Sequence, residues 1–430
     1  MPRSQRLGNR PKNGPDTQVP NRSGFLTFTP MTKTSLRDIP SADLIGRRLL
    51  VRADLNVPME DGRITDDTRV RETLPTLRLL KARGARTVVI SHLGRPKGPD
   101  PALSLRGVAD LLCDSMGGTV RFHPGLVGPE ARAAVDALDD GAVLVLENTR
   151  FDAGETKNAP ELARALADLA DVFVNDAFGA AHRAHASTTG VAAEVRRRGG
   201  KAVAGLLLYK ELEVLGSLLR EPERPFVAIL GGVKVSGKVE VIRALLPRVD
   251  RLLVGGAMAN TFLRALGLEL GQSLVEEDKV KLGRRILRDA GDRLVLPVDC
   301  LVAKRIEDGA AVRVVPRDSV QPDDCIGDIG SASRELFSGL LNDARTVFWN
   351  GPMGVFEMAA FQEGTIAVAR AVAVETDRGA LTVVGGGDSA AALNVAGVAD
   401  KVTHVSTGGG ASLEFLAGEQ LPGVAALSDR

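Results

Sequence analysis

The chain has 430 residues, 44% of them hydrophobic and 25% charged, with a formal net charge of +1. This is the composition of a soluble globular protein of about two or three domains, and the charge balance argues against nucleic acid or a membrane as partner. No apolar run approaches the roughly 18 residues that span a bilayer, and Cys113, Cys300 and Cys325 form no CxxC pair, which fits a reducing, cytoplasmic setting.

Residues 1–30 carry Arg3, Arg6, Arg10, Lys12 and Arg22 against Asp16, with several prolines and no apolar periodicity. They read as a disordered basic tail or a start called too early. From residue 48 the chain repeats strand, turn, helix. Predicted strands are 48–52, 87–91, 143–147 and 172–175, then 226–230, 252–255, 294–298, 346–349, 381–384 and 403–405. They are short β-branched runs without polar alternation, as expected of strands covered on both faces. Helical stretches such as 160–170 and 361–374 lie between them, so the sheets are parallel. Ten strands exceed one comfortable sheet. The helical segment "LLLYKELEVLGSLLR" at 206–220, ended by "EPERP", divides the chain near its middle. The expected fold is α/β: two doubly wound, Rossmann-like halves of similar size, separated by a cleft and a hinge, with ligands at the strand ends.

The chemistry-bearing residues stand at those ends. In the first half, "VRADLNVP" places Asp54 and Asn56, "SHLGRPKG" His92 and Arg95, "LENTRF" Arg150, and "NDAFGAAHRAHAS" His182, Arg183 and His185; Arg69 stands at a predicted helix start. Any one of these arginines reads as an ordinary surface residue. Several together read as a site for a small, multiply anionic ligand, because guanidinium forks bind phosphate and carboxylate bidentately. The histidines have no carboxylate partner at metal spacing, which favours structural or anion-binding roles.

In the second half, "GGVKVSGKV" resembles a phosphate loop, with Gly232, Gly237 and Lys238 in register. Val239, however, stands where that loop needs Ser or Thr for Mg²⁺. If this stretch is helical, Lys234 and Lys238 share a face. Glycine turns follow at 255, 349, 385 and 406, suited to a polyphosphate lying on bare backbone. "VVGGGDSAAAL" puts the anionic Asp388 where a phosphate is expected. It reads either as a helix N-cap or as a ligand to a metal that bridges the phosphates.

Taken together, "VRADLNVP", "SHLGRPKG", "GGVKVSGK", "WNGPMGVFE", "GGGDSAAA" and "STGGGASLEFLAG", in this order across residues 31–430, closely resemble phosphoglycerate kinase. The resemblance implies a monomeric, cytoplasmic, two-domain glycolytic enzyme that moves the acyl phosphate of 1,3-bisphosphoglycerate to Mg-ADP, giving 3-phosphoglycerate and ATP. It implies a phosphoglycerate domain at 31–205, an interdomain helix at 206–220, a nucleotide domain at 221–415, and a final segment, 416–430, packed back on the first. Carried over by motif, Asp54, Asn56, Arg69, His92, Leu93, Gly94, Arg95, Arg150 and Arg183 would hold phosphoglycerate. Gly232, Lys234, Lys238, Gly255, Gly256, Gly327, Asn350, Glu357, Gly386, Gly387, Asp388 and Ser389 would hold the nucleotide. Arg69 and Lys234 would be catalytic, aided by the helix starts at 388 and 410, and Asp388 would hold Mg²⁺. The chain departs from the pattern at Gly237, usually a polar residue, at Ser389, usually Thr, and in "CIGDIGSAS", which lacks a Pro. A non-catalytic nucleotide-binding homologue and another acyl-phosphate kinase of the same architecture are the rival readings.

Overall fold

The computed structural model describes residues 33–430, so the expectation for residues 1–30 lies outside the described residues. Two six-stranded sheets organise the chain. The first contains β1 (Arg48–Arg52), β2 (Arg86–Ile90), β3 (Val120–His123), β4 (Val143–Leu146), β5 (Val172–Asn175) and β6 (Lys201–Ala204), in the order β3-β4-β2-β1-β5-β6. The second contains β7 (Phe226–Leu230), β8 (Arg251–Val254), β9 (Leu294–Val295), β10 (Thr346–Asn350), β11 (Leu381–Gly385) and β12 (His404–Ser406), in the order β9-β8-β7-β10-β11-β12. Every pairing in both is parallel. The α/β class with two doubly wound parallel sheets is as expected.

The central strands are buried on both faces. All five residues of β7 and of β10 are buried, and so are all four of β4 and of β5. This is why they read as continuous apolar runs. The chain changes direction across each sheet at one place, between β1 and β5 in the first and between β7 and β10 in the second. Loops leaving the carboxyl ends diverge there and open a crevice.

The helix Leu206–Arg220 has the predicted bounds. Leu208, Leu212, Leu215, Leu218 and Leu219 bury into a core that reaches residues of both sheets, each contributing about 1.5–3 kcal/mol. Its first turn is tied to the first lobe. Asp176 Oδ1 accepts from Leu207 N at 2.8 Å and Leu208 N at 3.2 Å, and Thr76 Oγ1 accepts from Leu206 N at 3.1 Å. The end of the chain returns to the first sheet: Gly423 N donates to Ala181 O at 2.8 Å, and Ser428 N to Ala202 O at 2.7 Å.

Several elements were not expected. β3 and β6 are the edge strands of the first sheet. A ribbon pairs Met59–Glu60 with Arg63–Ile64, and a three-stranded antiparallel sheet joins Asp299–Ala303, Arg313–Pro316 and Cys325–Ile329. The predicted strand 294–298 stops at Val295, and the chain then enters this small sheet. The predicted helix 361–374 runs from Glu363 to Asp377, with Phe361 ending a single 3₁₀ turn before it.

Candidate active site

The residues after β1, β2, β4 and β5 converge at the crevice of the first sheet. Arg69, in the first turn of the helix Thr68–Ala82, pairs through Nη1 with Asp54 Oδ2. Burial would push the Asp54 carboxyl up, but its cationic surroundings, the Arg69 guanidinium foremost, outweigh it and hold the group below its usual range. Asp54 Oδ1 is buried and has no hydrogen-bond partner. Asn56 Oδ1 accepts from Gly94 N at 2.8 Å, and Asn148 Oδ1 accepts from Leu93 N at 3.2 Å and Arg150 N at 3.0 Å. These amides fix the loop that carries His92, Leu93, Gly94 and Arg95. Arg150 donates through Nη1 to Gly94 O, while its Nε is buried without a partner. Burial and the nearby cations Arg52, Arg183 and Arg95 lower the pKa of Arg150 from its ordinary value. That repulsion shows a cluster of like charge, which an anion would relieve. Arg183 is exposed and donates through Nε to His182 Nε2 at 3.0 Å.

A second group of residues lines a cavity of about 210 Å³ at the carboxyl ends of β7, β8 and β10. Gly232, Gly256, Gly327, Glu357 and Asp388 are all in its wall, with Val233, Pro352 and Ile326. Gly256 has φ +65°, and a Cβ there would stand 2.6 Å from both the N and O of Gly232, so only glycine allows the two turns to touch. Gly255 and Gly256 begin the helix after β8. Asn350 is buried and donates through Nδ2 to Gly385 O at 2.8 Å; Ser389 is buried and its Oγ accepts from Gly351 N at 2.7 Å. These two side chains tie the turns after β10 and β11 together.

Two expectations are corrected here. Residues 231–238 form turns, and the helix begins only at Val239, so Lys234 and Lys238 do not share a helical face. Lys238 turns inward, donating to Gly231 O at 2.6 Å and Asn350 O at 2.9 Å; burial pushes its ammonium down to about 8, opposed by Asp388. Lys234 is exposed, with no hydrogen bond or ion pair among the described residues. The capping alternative for Asp388 also fails. Gly386 is the N-cap of the helix Gly387–Val395, no side chain caps it, and Asp388 sits exposed in the first turn with Gly387.

The two sides meet beside Asp54. A Cβ on Gly179 would lie 2.5 Å from Asp54 Oδ2 and 3.3 Å from Thr407 O, so glycine permits the turn after β12 to approach the first-lobe carboxylate. Phe178 and Phe415 stack edge to face at 6.3 Å across the same seam. A larger open groove, about 900 Å³, runs past Pro101, Arg106, Leu126 and Phe151, and none of the predicted site residues lines it.

A family model for phosphoglycerate kinase matches residues 38–419. The phosphoglycerate kinase of Rubrobacter xylanophilus is 54% identical over 402 residues, covering 93% of this chain and 99% of that protein. The chain belongs to the phosphoglycerate kinase family. The phosphoglycerate kinase of Pelotomaculum thermopropionicum is 53% identical over 404 residues, covering 93% of this chain and all of its own length. Among solved structures, the phosphoglycerate kinase of Coxiella burnetii matches with a TM-score of 0.81 at 40% identity, and that of Pyrococcus horikoshii with 0.79 at 34%. Each covers 92% of this chain and 98% of its own.

Within this family frame, sequence reasoning overlooked the buried support of the basic cluster. Arg52, Glu155 and Ser187 are fully buried behind it, and Asn148 holds its loop. Arg52 stood inside the quoted "VRADLNVP"; an arginine directly after the apolar run "LLV", where the strand is buried, was the available signal. Asp328, in the cavity wall, was also passed over. Burial pushes its carboxyl up to about 7, while Gly364 N and Ile329 N donate to it.

Proposed function

We propose that this chain catalyses the reversible transfer of the acyl phosphate of 1,3-bisphosphoglycerate to Mg-ADP, giving 3-phosphoglycerate and ATP. The observation that carries the reading is a cationic crevice on one parallel sheet beside a glycine-walled cavity on the other, in a chain of this family. Residues 31–205, with 416–430, hold phosphoglycerate through Asp54, Asn56, Arg69, His92, Arg95, Arg150 and Arg183. Residues 221–415 hold the nucleotide over Gly232, Gly255, Gly256 and Gly327, with Glu357 on the ribose. The chain acts as a monomer in the cytoplasm; a dimer mass by light scattering at working concentration would contradict the first of these.

The attacking group is a phosphate oxygen of ADP, or a carboxylate in reverse, and neither carries a proton that must leave. Alignment and charge neutralisation therefore supply the catalysis. Arg69 from the first lobe and Lys234 from the second are the donors to the transferred group. The free ammonium of Lys234 and the place of Arg69 in the crevice, where among the described residues it pairs with Asp54 through Nη1 alone, favour this assignment. Among the described residues no cluster of three or more His, Cys, Asp or Glu could hold a metal unaided. Asp388, as a single exposed carboxylate in the cavity wall, suits Mg²⁺, which takes one or two carboxylates when phosphates complete its shell. Mg²⁺ there would neutralise the phosphates against which the carboxylate otherwise stands.

A coupled assay of ATP formation from 1,3-bisphosphoglycerate tests the activity; binding of ADP without ATP formation would favour the non-catalytic homologue instead. Asp388→Asn should weaken Mg-ADP about tenfold and metal-free ADP little, since the amide keeps the shape and loses most of the metal attraction. Equal losses for both by calorimetry would remove Asp388 from the metal site. Because the two ligands bind different lobes while transfer needs reacting atoms about 3–3.5 Å apart, the lobes close by bending at the helix 206–220. The radius of gyration in solution should fall most with both ligands present. A radius identical in the free, singly and doubly liganded protein would rule the hinge out.

A further inference from the structure

Arg52 ends β1 with its side chain fully buried, so no ligand reaches it. Its Nε donates to Ser187 Oγ at 2.8 Å, its Nη1 to the Ala53 carbonyl, and its Nη2 lies 2.9 Å from His92 Nδ1. A guanidinium offers only donors and does not lose its charge. His92 Nδ1 must therefore accept, which leaves the single proton of the neutral ring on Nε2. No described residue makes a hydrogen bond to Nε2. We infer that Arg52 is a positioning residue that fixes His92 as its neutral, Nε2-protonated tautomer and keeps that N–H free for an anion in the crevice. The identity of the anion rests on the proposed function; the tautomer does not.

The surroundings fit this role. The charge of Arg52 is balanced through Ser187, whose Oγ donates to Glu155 Oε1 at 2.6 Å and whose N donates to Glu155 Oε2 at 3.0 Å. The charged groups facing the ring are Arg52, Asp54, Arg150 and Arg69. Burial first, then the three arginines against Asp54 alone, hold its pKa well below the ordinary value. A second proton on Nδ1 would also point at a guanidinium N–H and break the contact. His92 thus differs from an exposed histidine in offering one donor in one place throughout the physiological pH range.

Long-range ¹H–¹⁵N spectra of the intact protein, with His92 assigned by difference against His92→Gln, read this directly. The expected pattern is the neutral Nε2–H ring between about pH 5 and 8, where an ordinary imidazole titrates. A Nδ1–H ring, or a ring that titrates in this range, overturns the inference. Arg52→Lys keeps the charge opposite Glu155, but one ammonium cannot serve Ser187, Ala53 and His92 together. In that variant the tautomers should mix and the KM for 3-phosphoglycerate should rise about tenfold, with a smaller fall in kcat and an unchanged KM for ATP. A folded Arg52→Lys protein with the parent His92 spectrum refutes the role; if the variant does not fold, the parent spectrum decides alone. An Nε2–H ring that 3-phosphoglycerate leaves unshifted would remove His92 from the ligand site while leaving the Arg52 contact as inferred.

Discussion

Arg69→Ala should lower kcat by about 10²–10³, the usual loss when one preorganised donor to developing charge is removed, while the KM for ADP changes little. Arg69 lies in the first-lobe crevice, bound through Nη1 to Asp54, and not in the wall of the nucleotide cavity. Its loss therefore falls on the transferred group and on phosphoglycerate. A second effect follows from Asp54. Arg69 is the largest influence lowering that buried carboxyl, against burial that raises it. Without Arg69 the balance moves toward burial, and Asp54 takes up a proton at a higher pH than before. Activity remaining in Arg69→Ala should then fall off earlier on acidification. Arg69→Lys should recover the charge but not the fork, and so only part of the rate. Turnover within a few-fold of the parent would show that Arg69 only pairs with Asp54 and takes no part in transfer.

Much of this arrangement was legible before the structure because the chemistry sits where strands end. "VRADLNVP" and "SHLGRPKG" join an apolar run to a turn of polar residues, and both the strand and its ligand-side residues follow from that junction. The helix Leu206–Arg220 was bounded by its leucine spacing and by the prolines after it. Edge strands were harder. β3, "VRFH", and β6, "KAVA", carry polar or small residues and have a neighbouring strand of the sheet on one side only, β6 meeting no more than an isolated bridge at Ser35 and bonds to Ser428 on the other, so they lack the continuous branched run that marked the central strands. Side-chain direction was harder still. The spacing of Lys234 and Lys238 suggested one helical face, but the positive-φ turn at Gly232 and the carbonyls of Gly231 and Asn350 draw Lys238 inward. Local spacing cannot see a partner 112 residues away. The same limit hid the link between the helix Leu206–Arg220 and the far end of the chain.

Cutting that link should be costly. Glu211 is fully buried at mid-helix. Its Oε2 accepts from His404 Nε2 at 2.9 Å, and its Oε1 accepts from Thr407 N at 2.7 Å and Thr407 Oγ1 at 3.0 Å. His404 belongs to β12 and Thr407 to the turn that meets Asp54 through Gly179. The helix is thus held at its first turn by Asp176 and Thr76 of the first lobe, and one turn later by groups of the second. Apolar packing of its leucines does not replace these bonds, because it is not directional. Glu211→Ala leaves three donors facing a cavity. His404 is buried and Thr407 half-buried, so with about 1–3 kcal/mol for a fully buried group left unsatisfied a loss of about 2–3 kcal/mol is expected, which lowers the melting temperature by roughly 4–12 °C for a lobe of this size. Glu213→Ala, an exposed change on the same helix, should cost less than about 0.5 kcal/mol and controls for helix propensity. Activity should fall as well, since the turn carrying Thr407 would no longer be fixed relative to Asp54 when the lobes close. If Glu211→Ala melts with Glu213→Ala, apolar packing of the leucines and of Phe178 on Phe415 joins the lobes without help from the Glu211 bonds. The hinge would then lie in the loops flanking the helix, at the Gly205 and Glu221 ends.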